Sequence, residues 1–367
     1  MRVVTLTALH DKPHYDVFPL RVFSDDLRRL GIDVVFSHSI WERAVSEADV
    51  VFVSSYKAKD LLGRGRQGGG AREVAERLGE RKGKVIWFDS SDAADISQPY
   101  VLPNVAIYAK AQIWKDRQLY SKPLYQGQWF KDYYHRTFGV DEPGGELREP
   151  PAPSALEKLA LAWNPAFNDW SIVGRGRITR GWHILFPVPH YRIARQVLPL
   201  KERPLDISCR VRAWPKEPIV HFHREAIQNA VRNLGKRRSV RCEGTVSHAR
   251  YLAEMARTRM VASPFGWGEI CYRDFECCMA GAVLLKPDMS HLQTWPDFYV
   301  PEDTYVAHAW DLADFESKVD RVLQRVEESQ GIADRGRTRL LDALCSSAAG
   351  RKFAERFAGL VDRALRS

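Results

Sequence analysis

The residues best placed by type and spacing to do chemistry lie between Met260 and Tyr299, in the run MVASPFGWGEICYRDFECCMAGAVLLKPDMSHLQTWPDFY. Met260 to Ala262 read as the end of a buried strand, which Ser263, Pro264, Gly266 and Gly268 break at once. From Glu269 to Ala280 the spacing predicts a helix, with Ile270, Phe275, Cys278 and Met279 on its apolar side. Gly281 closes it, and Ala282 to Leu285 form a second buried strand. A glycine loop lets backbone approach a ligand closely, and a helix start offers unpaired N–H groups and a partial positive charge. The arrangement therefore predicts an anion site. Arg273 supplies a forked donor for phosphate oxygens, and Glu276, one turn on, can accept hydrogen bonds from sugar or ribose hydroxyls. Against this, the i, i+3 spacing of Arg273 and Glu276 is also that of a surface ion pair of little energetic weight, and Glu269 has the place of a simple acid favoured by a helix dipole.

The elements that must hold these residues read as two similar halves. A chain of 367 residues is long for one core and favours two domains. In the first half, strands are expected over Val3 to Leu9, Asp33 to Ser37, Asp49 to Ser54 and Val85 to Phe88, with helices over Phe18 to Leu30 and Ala71 to Gly83. Such alternation predicts a parallel doubly wound sheet, whose ligands sit beyond the carboxyl ends of its strands. His10, Asp11 and His14 follow the first strand, and Asp89 and Asp92 the fourth. Residues 104–140, rich in aromatics and Lys, read as irregular packing around the cleft, with an acceptor-facing surface of aromatic faces for sugar rings as the functional alternative, and DEPGGELREPPAPS, Asp141 to Ser154, as a connector. From Asp206 the pattern repeats, with strands over Asp206 to Val211, Val240 to Cys242 and Tyr305 to Ala309. Helices are expected over Arg224 to Leu234, His248 to Ala256, Leu312 to Val326 and within Gly336 to Ser367.

A second glycine cluster, GRGRQGGG from Gly63 to Gly70, contains a literal G-x-G-x-x-G. The dinucleotide fingerprint needs its first Gly at the very end of a strand, and here Tyr56 to Leu62 intervene, so a flexible arginine-bearing loop is expected instead. Arg175, Arg177, Arg180 and Arg192 read as a solvated basic segment, with contact to an anionic acceptor or headgroups as the functional alternative.

Composition narrows the class. Hydrophobic residues make up 45% and charged residues 28%, as in a soluble globular protein, and no apolar run approaches the roughly 20 residues of a membrane span. The N-terminus reads as a strand and not a signal peptide. Six cysteines without a C-x-x-C pair speak against a disulfide framework or a zinc site and lead to the expectation of a reducing cytoplasm. A net charge of +9 implies attraction to an anion, be it nucleotide diphosphate, phosphorylated glycan, lipid surface or nucleic acid.

The segment SPFGWGEICYRDFECCMAGAVLLKP resembles the donor-binding element of glycosyltransferases of the GT-B fold, closest to bacterial exostosin-like and family-1-like members. The resemblance implies an α/β protein of two Rossmann-like domains, each a doubly wound mostly parallel sheet, with C-terminal helices crossing back to the first domain. The expected divisions are an acceptor-side domain over 1–165, a donor domain over 166–335 and returning helices over 336–367. It implies that Glu276, five residues before Gly281, binds the nucleotide ribose. The donor-side set is Arg210, Gly266, Trp267, Gly268, Glu269, Tyr272, Arg273, Glu276 and Lys286. Arg210, preferred over Arg212, has the place of a base that neutralises donor phosphates, and Lys286 sits on the same edge, where a solvated loop lysine is the alternative. Many retaining members carry an earlier Glu at the position that falls on Gly268 here, with Glu269 one place further on.

The implied reaction moves a sugar from a nucleotide-sugar donor to a glycan or lipid-linked acceptor, for a bacterial surface polysaccharide or similar product, without a metal or a cofactor beyond the co-substrate. The acceptor's general base is expected among His10, Asp11, Asp89 and Asp92, which spacing does not separate. Peripheral association with an anionic membrane accords with the basic charge. A nucleotide-sugar epimerase of the same fold is the rival enzyme. A basic nucleic-acid-binding protein is the rival from another class, with no recognisable module behind it.

Overall fold

The computed structural model describes residues 1–7, 14–56, 58–62, 70–170, 196–212 and 214–367. His10, Asp11, most of the glycine cluster at 63–70, and Arg175, Arg177, Arg180 and Arg192 lie outside the described residues.

Two parallel sheets organise the chain, as expected. The first is built from β1 (Arg2–Leu6), β2 (Asp33–Ser37), β3 (Val50–Ser54), β4 (Lys84–Asp89) and β5 (Ile107–Lys110). Three short strands then lie outside it, β6 (Gln112–Trp114), β7 (Leu124–Tyr125) and β8 (Leu147–Arg148), before β9 (Leu159–Leu161) completes its edge in the order β2-β1-β3-β4-β5-β9. Val50 to Val53 are wholly buried, the continuous apolar run that a sheet covered on both faces requires. The second sheet has the order β11-β10-β12-β13-β15, from β10 (Leu205–Ser208), β11 (Val240–Arg241), β12 (Thr258–Ala262), β13 (Val283–Pro287) and β15 (Val306–His308). The remaining strand, β14 (Leu292–Thr294), pairs antiparallel with β6, so a two-stranded ribbon joins the two halves of the chain.

Several local expectations are corrected. Residues 104–140 are not irregular: they contain β5, β6, β7 and a helix over Trp129–Phe138. The connector at 141–154 carries β8 and the start of a helix over Pro153–Lys158. The first helix is two, Phe18–Val22 and Ser24–Arg29, broken at Phe23.

Gly281 ends the helix after the glycine loop as anticipated. It adopts φ +66°, and the N–H groups of Gly281 and Ala282 return to the carbonyls of Cys278 and Cys277. The last two helices divide their contacts. Val326–Cys345 packs beside β13, whereas Ala349–Arg366 crosses to the first sheet. There Phe353 and Phe357 meet Trp163, and Phe357 meets Phe52, with ring centroids 4.9 to 6.1 Å apart. No described helix is long and apolar enough to cross a membrane.

Candidate functional site

A cleft of about 540 Å3 opens between the carboxyl edges of the two sheets. Most of its lining follows a strand directly, and Arg224, His248, Tyr251, Tyr272, Arg273 and Glu276 reach it from helices. Tyr15 follows β1, Asp92 follows β4 and Pro165 follows β9; Arg210, Arg212 and Trp214 follow β10, Gly244 to Val246 follow β11, and Gly266, Trp267, Ile270 and Cys271 follow β12. Loops at these edges carry the ligand groups of open α/β sheets because their backbone is not consumed by the ladder.

On the second-sheet side the loop after β12 is fixed from beneath. The helix starts at Tyr272, three residues later than the spacing predicted, because the Asp274 carboxylate accepts from the Cys271 backbone N–H at 3.1 Å and caps the helix there. The same carboxylate accepts from Ser263 Oγ at 2.5 Å and Tyr299 OH at 2.7 Å, and lies 3.1 Å from Lys286 Nζ. Lys286 is wholly buried in this pair, so it is neither a solvated lysine nor part of the cleft wall. Above it, His223 accepts the Phe265 N–H on Nε2 at 3.0 Å. That bond leaves Nδ1 protonated, 2.5 Å from Tyr134 OH, which in turn donates to the Trp310 carbonyl at 2.9 Å. Burial, reinforced by His308 and Lys286, holds the His223 pKa well below its usual value and keeps the ring neutral.

The cationic wall is made of arginines. Arg273 lines the cleft, and its Nη1 donates to Ser263 Oγ at 3.2 Å and the Pro264 carbonyl at 3.4 Å. Arg224, which the sequence reading missed, donates to the carbonyls of Phe265 and Arg212 at 3.1 Å each, and its Nη2 lies beside Gly266. Burial lowers its pKa from an ordinary value so high that it stays cationic. Arg210 lines the cleft, but its fork is engaged by Glu254 at 2.8 and 2.9 Å and its Nη1 by the Gly244 carbonyl. Arg212 is exposed beside Trp214, which tilts against the half-exposed Trp267 at 5.4 Å.

Glu276 faces the cleft with its carboxylate held by Tyr251 OH at 3.1 Å and His248 Nε2 at 3.3 Å, so its Arg273 neighbour is not its partner. Glu269 lies outside the helix and outside the cleft wall. It is 1% exposed, and its Oε2 accepts from Gln112 Nε2 at 2.9 Å.

Across the cleft, Asp92 is exposed to the opening and makes no hydrogen bond through its side chain among the described residues. Desolvation by the surrounding protein raises its pKa, against the pull of His14 and Lys110. Asp89 is buried. It accepts from Tyr108 OH at 2.6 Å, Lys110 Nζ at 2.8 Å, Ser97 Oγ at 2.8 Å and the Ser91 N–H at 3.0 Å, which leaves it no approach to the cleft. Burial opposes its charge, but Lys110 and these donors hold its pKa below the ordinary carboxylate value. His14 lies 3.0 Å from Asp16 by Nδ1 and 3.3 Å from Tyr272 OH by Nε2, spanning from the first half to the donor-side helix.

Residues 192–349 match a family described as glycosyl transferase-like. The second sheet, the arginine wall and Glu276 all fall inside that glycosyl transferase-like segment. No curated protein matches the chain by sequence. Among solved structures, an alpha-glucosyltransferase in complex with UDP is similar at 9% identity and TM-score 0.47, over 98% of this chain and 99% of that one. Anabaena HepE in complex with UDP is similar at 9% and 0.44, over 98% and 100%. An alpha1,3-fucosyltransferase is similar at 12% and 0.46, over 98% and 90%.

Proposed function

We propose that the chain transfers a glycosyl group from a nucleotide-sugar donor, bound on the second sheet, to a hydroxyl of a glycan or lipid-linked acceptor presented by the first. The observation behind this reading is the polarity of the cleft: arginines and a braced carboxylate on one wall, an unpartnered carboxylate on the other. Arg273, Arg224 and Arg212 hold the diphosphate, and Glu276, pre-oriented by Tyr251 and His248, accepts from the ribose hydroxyls.

In the transfer, the acceptor oxygen attacks the anomeric carbon while its proton passes to the Asp92 carboxylate. The bond from that carbon to the diphosphate oxygen breaks, and its electron pair leaves on the phosphate, where the guanidinium charges neutralise it without calling on a metal. A raised carboxylate pKa suits a base that works near neutral pH. A cytoplasmic enzyme of surface-polysaccharide assembly, meeting lipid-linked acceptors at the inner face of an anionic membrane, accords with the net charge of +9.

The test is a thermal-shift screen of UDP, GDP, CMP, ADP and dTDP, followed by assay of nucleoside diphosphate release with candidate acceptors. Stabilisation by one nucleotide, and acceptor-dependent release of it, is the expected result. Stabilisation by none would overturn the reading, and conversion of the nucleotide sugar without transfer would point to an epimerase.

A further inference from the structure

We infer that Gln112 and Glu269 form a clasp that registers the Asp92 loop against the donor loop, and that both act as positioning residues for the transfer step. The inference rests on the functional reading above. Gln112 begins β6, the strand of the first half that pairs with β14 of the second. Its Nε2 donates twice, to the Asp92 carbonyl at 2.6 Å and to Glu269 Oε2 at 2.9 Å. Both partners are acceptors, so the amide orientation is fixed by chemistry, since the alternative would set oxygen against oxygen. One side chain thereby ties the loop carrying the free carboxylate to the loop that precedes the arginine-bearing helix.

A second contact closes the same seam. Gly268 lies so close to the Asp92 backbone that a Cβ there would stand 1.8 Å from the Asp92 carbonyl oxygen. The seam is buried, since Gln112 and Glu269 are each 1% exposed, and His291, at the end of the ribbon, places Nε2 3.6 Å from Glu269 Oε1. Apolar side chains would fill this space at least as well. What a Gln–Glu pair adds is direction: it fixes where the Asp92 backbone sits relative to Cys271 and Tyr272.

The clasp also carries charge towards the reacting region. Asp92 is faced by His14, Lys110 and Asp89 on the first-half side, by Tyr15 beside it, and by Glu269 and Tyr272 from the second half. Desolvation by the surrounding protein raises its pKa, His14 and Lys110 lower it, and the negative charges of Asp89 and Glu269 raise it further. Removing the Glu269 charge while keeping its acceptor oxygen therefore moves the Asp92 titration down.

The experiment compares Gln112→Ala, Glu269→Ala and Glu269→Gln with the wild-type chain. Gln112→Ala and Glu269→Ala are expected to lower kcat by roughly tenfold to a hundredfold, the scale of an ångström's misplacement, while nucleoside diphosphate affinity and donor KM hold. Glu269→Gln is expected to recover most of the rate and to shift the acidic limb of the pH–rate profile to lower pH. Hydrogen exchange gives a readout independent of activity: in Gln112→Ala, amides of 90–94 and 266–270 are expected to exchange faster together, with both sheets unchanged.

Unchanged kcat in both alanine variants, or unchanged exchange in the two loops, overturns the clasp. Parallel loss of nucleotide affinity, rate and global stability would mark it as packing alone and overturn the positioning role. If the exchange result appears but the wild-type chain transfers no sugar from any donor, the functional reading fails while the clasp stands.

Discussion

Each sheet carries, at its carboxyl edge, a buried aspartate bound by the same four kinds of donor. In the first sheet Asp89 receives Lys110, Tyr108, Ser97 and the backbone N–H of Ser91. In the second, Asp274 receives Lys286, Tyr299, Ser263 and the backbone N–H of Cys271. The difference lies in what each knot holds. Asp89 ends a strand and fixes the loop that presents Asp92, whereas Asp274 sits in the first turn of a helix and fixes the loop that leads to Arg273. A carboxylate at a strand end beside a cleft looks like a catalytic base from sequence, yet here its full set of partners makes it a support for the next acid along.

The largest expected effects come from breaking either knot. Removing one partner of a buried ion pair strands the other, so Asp89→Ala and Asp274→Ala are each expected to lose about 3–5 kcal/mol in denaturant unfolding. The two are distinguished by calorimetry: the Asp274 variant is expected to lose nucleotide affinity as well, and the Asp89 variant to keep it. Equal loss of affinity in both would erase the distinction between the two supports.

Acid separates the halves next. Burial lowers the pKa of His308 to about 4 and that of His223 well below its usual 6.5, so the unfolded chain binds protons that the folded chain refuses. Their contribution to stability is therefore full above pH 6.5 and declines as pH falls towards 4, on the order of 3 kcal/mol for His308. Asp89 has a depressed folded-state pKa, and its contribution is lost only as pH falls below its unfolded value of 3.8. Hydrogen exchange along a pH series is expected to rise first in the second sheet, and His308→Gln to flatten that early phase.

The smallest effect tests the seam by comparing its glycines. Gly268→Ala drives a methyl into the Asp92 backbone and is expected to cost about 1–3 kcal/mol, as overpacking does. At Gly266 the nearest atoms to a new Cβ are Arg224 Nη2 at 3.3 Å and Cys271 Sγ at 3.4 Å, both ends of side chains that can give. Its alanine variant is expected to keep more stability in thermal unfolding.

The same contrast explains what could be read in advance. Val50 to Val53 announced themselves as a strand because buried parallel strands are apolar runs, and Asp33 to Ser37, a half-exposed edge strand, because Val34, Val35 and Phe36 are β-branched or aromatic. By contrast, β5 was hidden, because Lys110 and Tyr108 make its segment look irregular until Asp89, many residues away, supplies their partner. The glycine loop, Arg273 and Glu276 were legible from local spacing. The partners that orient them were not, because Tyr251 is 25 residues from Glu276 and Glu254 is 44 from Arg210. Arg224 carried no local mark at all, as it lies within a helix, Pro218–Leu234, whose apolar spacing speaks of packing alone.

On the proposed reading, donor and acceptor chemistry are divided between the two walls, and Arg273→Ala set against Asp92→Asn separates them. Calorimetry with the nucleoside diphosphate that stabilises the wild-type chain, paired with a transfer assay, is the measurement. Arg273→Ala is predicted to weaken nucleotide binding by about tenfold to a hundredfold, the worth of a hydrogen bond to a charged group, whereas Asp92→Asn keeps nucleotide affinity and loses transfer. Unchanged affinity in Arg273→Ala, or wild-type transfer by Asp92→Asn, would rule out that division of roles between the walls.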